Sequence, residues 1–305
     1  MTCSRFPLFG FLVKSSVSIA EIRAWAIRTL QDGGIQRADF EAEYLLQALL
    51  KINRAALFLL NNEDLSPQQV PVFQTMINRR LAGEPLQYIV GTAEFWSKTF
   101  KVTPDVLIPR QETEFVVEQT IFLLHDQFTR SNRLRLLDMG TGSGVIADIL
   151  ADETGCAVLA VDISPAALVV ADTNIRKHHL RDRVELVCSD LFSAILSANR
   201  FDCIVANPPY VAENEKDDLT AEVVAFEPSR ALFAGHDGLA CYRRLIPDSL
   251  DFLSDGGWLI LEIGASQDMV VKELFAENGY RNIDVRMDYS GRPRFACGRK
   301  PFGKS

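Results

Sequence analysis

The sequence predicts an α/β fold: a mostly parallel seven-stranded sheet with an antiparallel C-terminal hairpin, preceded by a small helical domain. Three observations predict it. From about residue 110 onward, apolar runs of strand length alternate with helical stretches, a pattern that builds a parallel sheet covered on both faces. The first of those strands runs into a glycine loop, Asp138-Met139-Gly140-Thr141-Gly142-Ser143-Gly144. The first eighty-odd residues instead carry apolar positions at helical spacing. The expected division is a helical bundle over 1–85, a β-hairpin linker over 86–109 and the α/β domain over 110–305.

In the helical part, Ser18-Ile19-Ala20-Glu21 is a capping box, since the Ser side chain can accept from an orphan amide and the Glu can reach back. Behind it Ile19, Ile22, Ala26 and Leu30 form an apolar stripe, and Gly33-Gly34 stop the helix. A second helix follows Asp39, with Tyr44, Leu45, Ala48 and Leu49 on its apolar face. A third starts at Ser66-Pro67-Gln68-Gln69, with Pro67 at the first helical position and Val70, Phe73, Ile77 and Leu81 as its stripe. Pro71 should distort its first turn. Such a bundle either packs plainly on the rest of the chain or holds a macromolecular substrate. Over 86–109, Phe95, Trp96, Phe100 and Val102 bring aromatic and β-branched residues together, as in a short hairpin.

Strands are expected at 134–139, 156–162, 184–190, 201–209 and 256–264, and the tail 282–300 reads as two strands joined by a Ser-Gly turn. Helices are expected after the glycine loop, from Val145 to Leu150, and from Pro165.

Composition narrows the classes. Of 305 residues, 48% are hydrophobic and 24% charged, which excludes collagen-like and disordered chains. The net charge of −8 disfavours a broad grip on nucleic-acid phosphates. Residues 1–90 carry 9 basic and 8 acidic side chains and the other 215 carry 23 and 32, so the acidic excess lies in the α/β part. None of the six cysteines forms a C-x-x-C pair. Cys188 and Cys203 fall in apolar runs, where a thiol behaves as a small buried hydrophobe. The reading is a reducing compartment and a cytoplasmic protein. The run 6–13 lacks a cleavage site, and nothing approaches the ~20 apolar residues of a membrane span. His125, His178, His179 and His236 read as surface or packing residues, and no metal site is expected.

Glycines let the backbone turn sharply and let a ligand approach the main chain. Here the spacing is G-x-G-x-G, with Val145 where a dinucleotide fingerprint wants its last glycine. The next strand ends in Asp162, whose carboxylate can accept from two ribose hydroxyls. The third ends in Asp190-Leu191, a polar group beside an apolar face that could hold an adenine ring. Either Asp alone reads as a helix N-cap. Two of them, after successive strands beside the glycine loop, favour a nucleoside pocket.

This stretch, about 134–264, resembles the class I S-adenosylmethionine (SAM)-dependent methyltransferases, which have a Rossmann-like fold. The resemblance implies SAM as cofactor and S-adenosylhomocysteine as product. It sets Gly140, Gly142 and Gly144 near the methionine part, Asp162 on the ribose, and Asp190 with Leu191 near adenine, and it counts Asp138, Thr141 and Ser143 among the cofactor-binding residues. Asn207 counts among the cofactor-binding residues too.

Asn207-Pro208-Pro209-Tyr210 ends the fourth strand on the side of the glycine loop. An amide or exocyclic amine is a poor nucleophile, because its lone pair is delocalised into the π-system. Acceptors on its two N–H bonds would aim that lone pair at a methyl group. The Asn207 side-chain carbonyl and the Pro208 backbone carbonyl can supply them, with proline stiffening the loop, and Tyr210 can cover the flat face. Such acceptors strengthen as positive charge develops on nitrogen. No general base is required, since the methylated cation sheds its proton readily.

A closer match is carried by 84–118, whose end reads Ile108-Pro109-Arg110-Gln111-Glu112-Thr113-Glu114, and by 227–246, 256–264 and the closing 291–300. These segments resemble the HemK-type protein-(glutamine-N5) methyltransferases, with Gln111 standing where that family usually has Pro. The likeness spans about 18–300. It implies that the substrate is the glutamine of the Gly-Gly-Gln motif in class 1 peptide chain release factors. Asn207, Pro208, Pro209 and Tyr210 would hold its amide, and the N-terminal helices and hairpin would help dock the factor. Arg110 and Glu112 would fix the hairpin to the catalytic domain. A monomer without membrane or direct nucleic-acid partners is expected. The alternatives are a methyltransferase acting on a glutamine of a ribosomal protein, an N6-adenine-type nucleic-acid methyltransferase, and a SAM-binding module without catalysis.

Overall fold

In the computed structural model, residues 17–130 and 134–303 are described. The apolar run 6–13 and Cys3 lie outside them. The described chain divides into two units, one ending at Val90 and one beginning at Gly91.

The first unit is built on amphipathic helices. Helix Ile19–Asp32 opens with the expected capping box, Ser18 Oγ accepting from the Glu21 amide at 3.2 Å and Glu21 Oε2 from the Ser18 amide at 3.1 Å. Its buried residues are Ile19, Ile22, Ala26 and Leu30, the stripe that the spacing predicts. Helix Ala38–Leu50 buries Ala42, Leu45 and Leu46, so its inner face is rotated from the expected Tyr44-Leu45-Ala48-Leu49 set. It also buries Glu41 and Glu43, which Arg80 and Arg54 meet at 2.6 and 3.0 Å. Asn53 caps a short helix, Arg54–Leu59, absent from the sequence reading. The next helix starts at Gln69 rather than Pro67. Pro71 therefore sits in the first turn, where amides have no intrahelical acceptor, and the expected distortion has no cause. Residues 86–90 form a helical turn, not part of a hairpin.

The second unit begins with the hairpin Thr92–Phe95/Lys98–Lys101. Trp96 and Ser97 both have positive φ, the turn that matches strand twist. Asn174 bonds both the amide and the carbonyl of Lys101, at 2.7 and 3.0 Å. Glu114 Oε1 accepts from the Trp96 amide at 2.7 Å. Glu114, not Glu112, thus fastens the hairpin, and Glu112 is exposed.

Seven strands follow: β1 (Arg135–Met139), β2 (Ala157–Asp162), β3 (Val184–Cys188), β4 (Phe201–Ala206), β5 (Leu253–Glu262), β6 (Arg281–Met287) and β7 (Pro293–Arg299). Their order across the sheet is β6-β7-β5-β4-β1-β2-β3. The first five run parallel, and β6 and β7 are the antiparallel closing pair. On one face Val116 and Val117 of helix Gln111–Arg130 pack with Ile146, Ile149 and Leu150 of helix Val145–Thr154. On the other, Tyr242, Leu245 and Ile246 pack with Phe275. Chain order reverses between β1 and β4, and the crevice at the carboxyl ends of parallel strands there is where such sheets hold ligands. The five described cysteines are free; Cys203 is buried as expected, but Cys188 is exposed, since it ends the edge strand. Among the described residues no helix is long and apolar enough to cross a membrane.

Candidate active site

A cleft of about 730 Å³ opens at that crevice, a volume suited to a nucleoside-sized ligand. The ends of four adjacent strands line it. They supply Gly140, Thr141, Gly142 and Ser143 after β1, Asp162 at the end of β2, Asp190 and Leu191 after β3, and Asn207, Pro208 and Pro209 after β4. The segment 104–110 and helix Ala240–Ser249 complete the wall.

Within the glycine loop the residues have different tasks. Gly140 and Gly142 have φ of +79° and +55°; a Cβ on Gly142 would meet nothing within 4 Å, so that backbone faces open space. Gly144, at φ +86°, would bring a Cβ to 3.2 Å from Ala171 Cβ, and it does not line the cleft. It lets helix Pro165–Lys177 pack close.

Asp138 does not line the cleft either. It is fully buried below the loop, where its Oδ2 accepts from Thr141 Oγ1 at 2.6 Å and the Ala147 amide at 3.1 Å. Its Oδ1 has no protein partner, and burial pushes the carboxyl up to about 7.

Asp162 is half-buried. Its Oδ2 accepts from the Gly142 amide and its Oδ1 from the Ser164 amide, both at 2.8 Å. A carboxylate oxygen has two lone pairs, so each keeps one for a ribose hydroxyl. Asp190 is exposed and pairs with Arg244 Nη2 at 3.0 Å. Leu191 has φ +49°, a left-handed conformation costly for a branched side chain. Open glycine backbone, a braced carboxylate and an apolar residue beside a polar one fit SAM.

Asn207 is held from behind. Its Nδ2 donates to Thr113 Oγ1 at 3.1 Å, and the Thr113 hydroxyl donates to Glu262 Oε2 at 2.7 Å. Tyr210 does not line the cleft; its hydroxyl turns toward Glu262 Oε1 at 3.5 Å, and its backbone carbonyl accepts from Gln267 Nε2 at 2.9 Å. Glu262, fully buried at the end of β5, is pushed up to about 7 by desolvation, with Thr113 and Arg294 opposing. Burial also raises the Tyr210 hydroxyl well above its ordinary value. Arg110 pairs with the buried Glu227, which also accepts from the Ile108 amide at 3.3 Å. Arg110 therefore ties the 104–110 segment to the C-terminal end of helix Ala221–Phe226.

Thr113, Glu262, Gln267 and Arg244 were not singled out by sequence reasoning as site residues. Glu262 had a signal: a carboxylate closing an apolar strand. His178 bonds Asp148 at 2.8 Å and packs on Phe100, away from the cleft. Among the described residues no group of three or more His, Cys, Asp or Glu could hold a metal.

Residues 21–91 match the PrmC N-terminal domain, and residues 116–235 match the methyltransferase small domain. Over 271 residues the chain is 45% identical to the release factor glutamine methyltransferase of Moorella thermoacetica, covering 88% of this chain and 94% of that one. The chain belongs to the release factor glutamine methyltransferase family. The family's Koribacter versatilis protein is 41% identical over 277 residues, 90% of this chain and 96% of its own. A Rickettsia prowazekii bifunctional methyltransferase is 38% identical across 88% of this chain but only 54% of its own length.

Solved structures share the fold at lower identity. The hMettl16 catalytic domain, in complex with an RNA hairpin, gives a TM-score of 0.55 at 19% identity, over 78% of this chain and 82% of that one. The Thermus thermophilus 16S rRNA methyltransferase RsmC, with AdoMet and guanosine, gives 0.52 at 18%, over 68% and 49%. The architecture of this release factor glutamine methyltransferase family member is that of the class I methyltransferases.

Proposed function

We propose that the protein transfers the methyl group of SAM to the side-chain amide nitrogen of a release factor glutamine, and that this glutamine is the one in the Gly-Gly-Gln motif of class 1 factors. The relatives named above support the reaction. The observation that carries the site is Asn207: it lines the cleft beside the glycine loop, and its amino group is already committed to Thr113. Its carbonyl is the atom left to accept from a substrate N–H.

SAM supplies an electrophilic methyl on a sulfonium. Gly140, Gly142 and Asp162 would hold it, with Asp190 and Leu191 on the adenine side. Asn207 and the Pro208 carbonyl would fix the substrate amide by its two hydrogens. Pro208 and Pro209 keep that loop stiff. Orienting two bound reactants can lower a barrier by ~7–11 kcal/mol. The acceptors gain strength as the nitrogen becomes positive, and the proton then leaves to water.

This reading takes the enzyme as a cytoplasmic monomer acting on protein. The free described cysteines support a reducing compartment, and the acidic charge of the second unit supports a protein rather than a nucleic-acid substrate. Purified protein, SAM and a release factor from the same source should give one added methyl on the Gly-Gly-Gln peptide by mass spectrometry. An unmodified peptide, with SAM still bound by calorimetry, would sink the substrate assignment.

A further inference from the structure

We infer that Thr113 and Glu262 are positioning residues for methyl transfer: their hydrogen-bond chain locks the Asn207 carboxamide with its oxygen toward the substrate and sets an ionisable carboxyl group behind it. The inference rests on the reaction proposed above.

A carboxamide has two orientations of nearly equal shape and opposite chemistry. Only one offers oxygen to a substrate N–H; the other would put two N–H groups against each other. Nothing within residues 207–210 chooses between them. Thr113 does. It sits in the first turn of helix Gln111–Arg130 and is 3% exposed. Its hydroxyl has one proton, and the 2.7 Å contact commits it to Glu262 Oε2. Toward Asn207 it can then offer only a lone pair, which the amino group alone can meet.

The chain ends on a buried carboxylate. Hydrogen bonds in series polarise one another. As the substrate nitrogen becomes positive, Asn207 Oδ1 is drawn on, and the demand passes through Thr113 to Glu262. The groups facing Glu262 are Tyr210 from the loop after β4, Glu112 from the helix, Arg294 from β7 and the Tyr242 hydroxyl, which donates to the Glu262 backbone carbonyl at 2.9 Å. Arg294 favours the anion, while Glu112 and burial oppose it. Activity should therefore track the ionisation of Glu262.

The test compares wild type, Thr113→Val, Thr113→Ser and Glu262→Gln with a release factor and SAM. Thr113→Val should lower kcat by about tenfold or more, with the KM for the release factor and the Kd for SAM within about threefold. Thr113→Ser, which keeps the hydroxyl, should return to within about threefold of wild type. Glu262→Gln should flatten the rise of kcat between about pH 6 and about pH 8. A Thr113→Val enzyme with wild-type kcat, a Thr113→Ser enzyme as slow as Thr113→Val, or a Glu262→Gln enzyme with the wild-type pH profile would overturn the inference.

A second measurement separates this from the substrate assignment. The ¹⁵N-labelled side-chain amide of Asn207, identified by its loss in Asn207→Ala, should shift and exchange faster with solvent in Thr113→Val without any substrate. An unchanged signal overturns the chain even if methylation is observed. A changed signal with no methylation of the factor upholds the chain and rejects the substrate.

Discussion

Asp162 accepts the Gly142 amide at 2.8 Å, so the carboxylate that ends β2 also fastens the glycine loop after β1. A ligand that used Asp162 would bind a group already oriented by two backbone amides. Removing it should weaken SAM binding in two ways at once. Asp162→Ala should raise the SAM dissociation constant by about 10- to 100-fold, the loss of one or two charge-assisted bonds. Turnover at saturating SAM should change by less than about threefold. Calorimetry and initial rates on the same preparation check both.

Asn207→Ala should do the opposite. Removing an acceptor that strengthens in the transition state costs on the order of 10²–10³ in kcat. SAM affinity should hardly move. Equal losses in both would place Asn207 in the cofactor site alone.

The two glycines that flank Ser143 should respond differently to alanine. Gly144 combines φ +86° with a Cβ position 3.2 Å from Ala171 Cβ. Gly144→Ala should lower stability by about 1–3 kcal/mol, measured by denaturant unfolding. Gly142 has a milder φ of +55° and open space in front of it. Gly142→Ala should cost about 1 kcal/mol of stability but raise the SAM dissociation constant, because its methyl enters the cleft.

Glu262 links stability to pH. Its carboxyl lies at about 7 in the folded chain against an ordinary 4.5. The folded state therefore holds a proton that the unfolded chain has released, and stability falls as pH rises through that window. Glu262→Gln removes this dependence. Its stability relative to wild type should increase by roughly 1–3 kcal/mol between about pH 5 and about pH 8, read by urea unfolding at each pH. Asp138, raised by the same cause, keeps its slope in both proteins.

The strands and their order of appearance were legible because buried parallel strands are continuous apolar runs, as at 134–139 and 256–264. The capping box at Ser18 was legible because it is local. The inner face of helix Ala38–Leu50 was not: its buried Glu41 and Glu43 are inside only because Arg80 and Arg54 come from elsewhere to meet them. The cleft wall formed by 140–143, 162, 190–191 and 207–209 could be read from strand ends. Asp138 and Gly144 share that motif but face the interior, and a motif does not tell which side of a loop a residue serves. The Asn207–Thr113–Glu262 chain joins residues 94 and 149 positions apart, beyond any spacing rule.

The sheet order has one more consequence. An outermost strand offers unpaired amides and carbonyls to any extended peptide, and so invites amyloid-like growth. Here one rim is β3, five residues long with the exposed Glu185 in it. The other is β6, whose pairing with β7 is broken by two register shifts and whose Asp284 and Arg286 form an ion pair at 2.8 Å. Short length, charge and irregularity at the two rims make each a poor template for fibril extension, although the strands between them are among the most apolar in the chain.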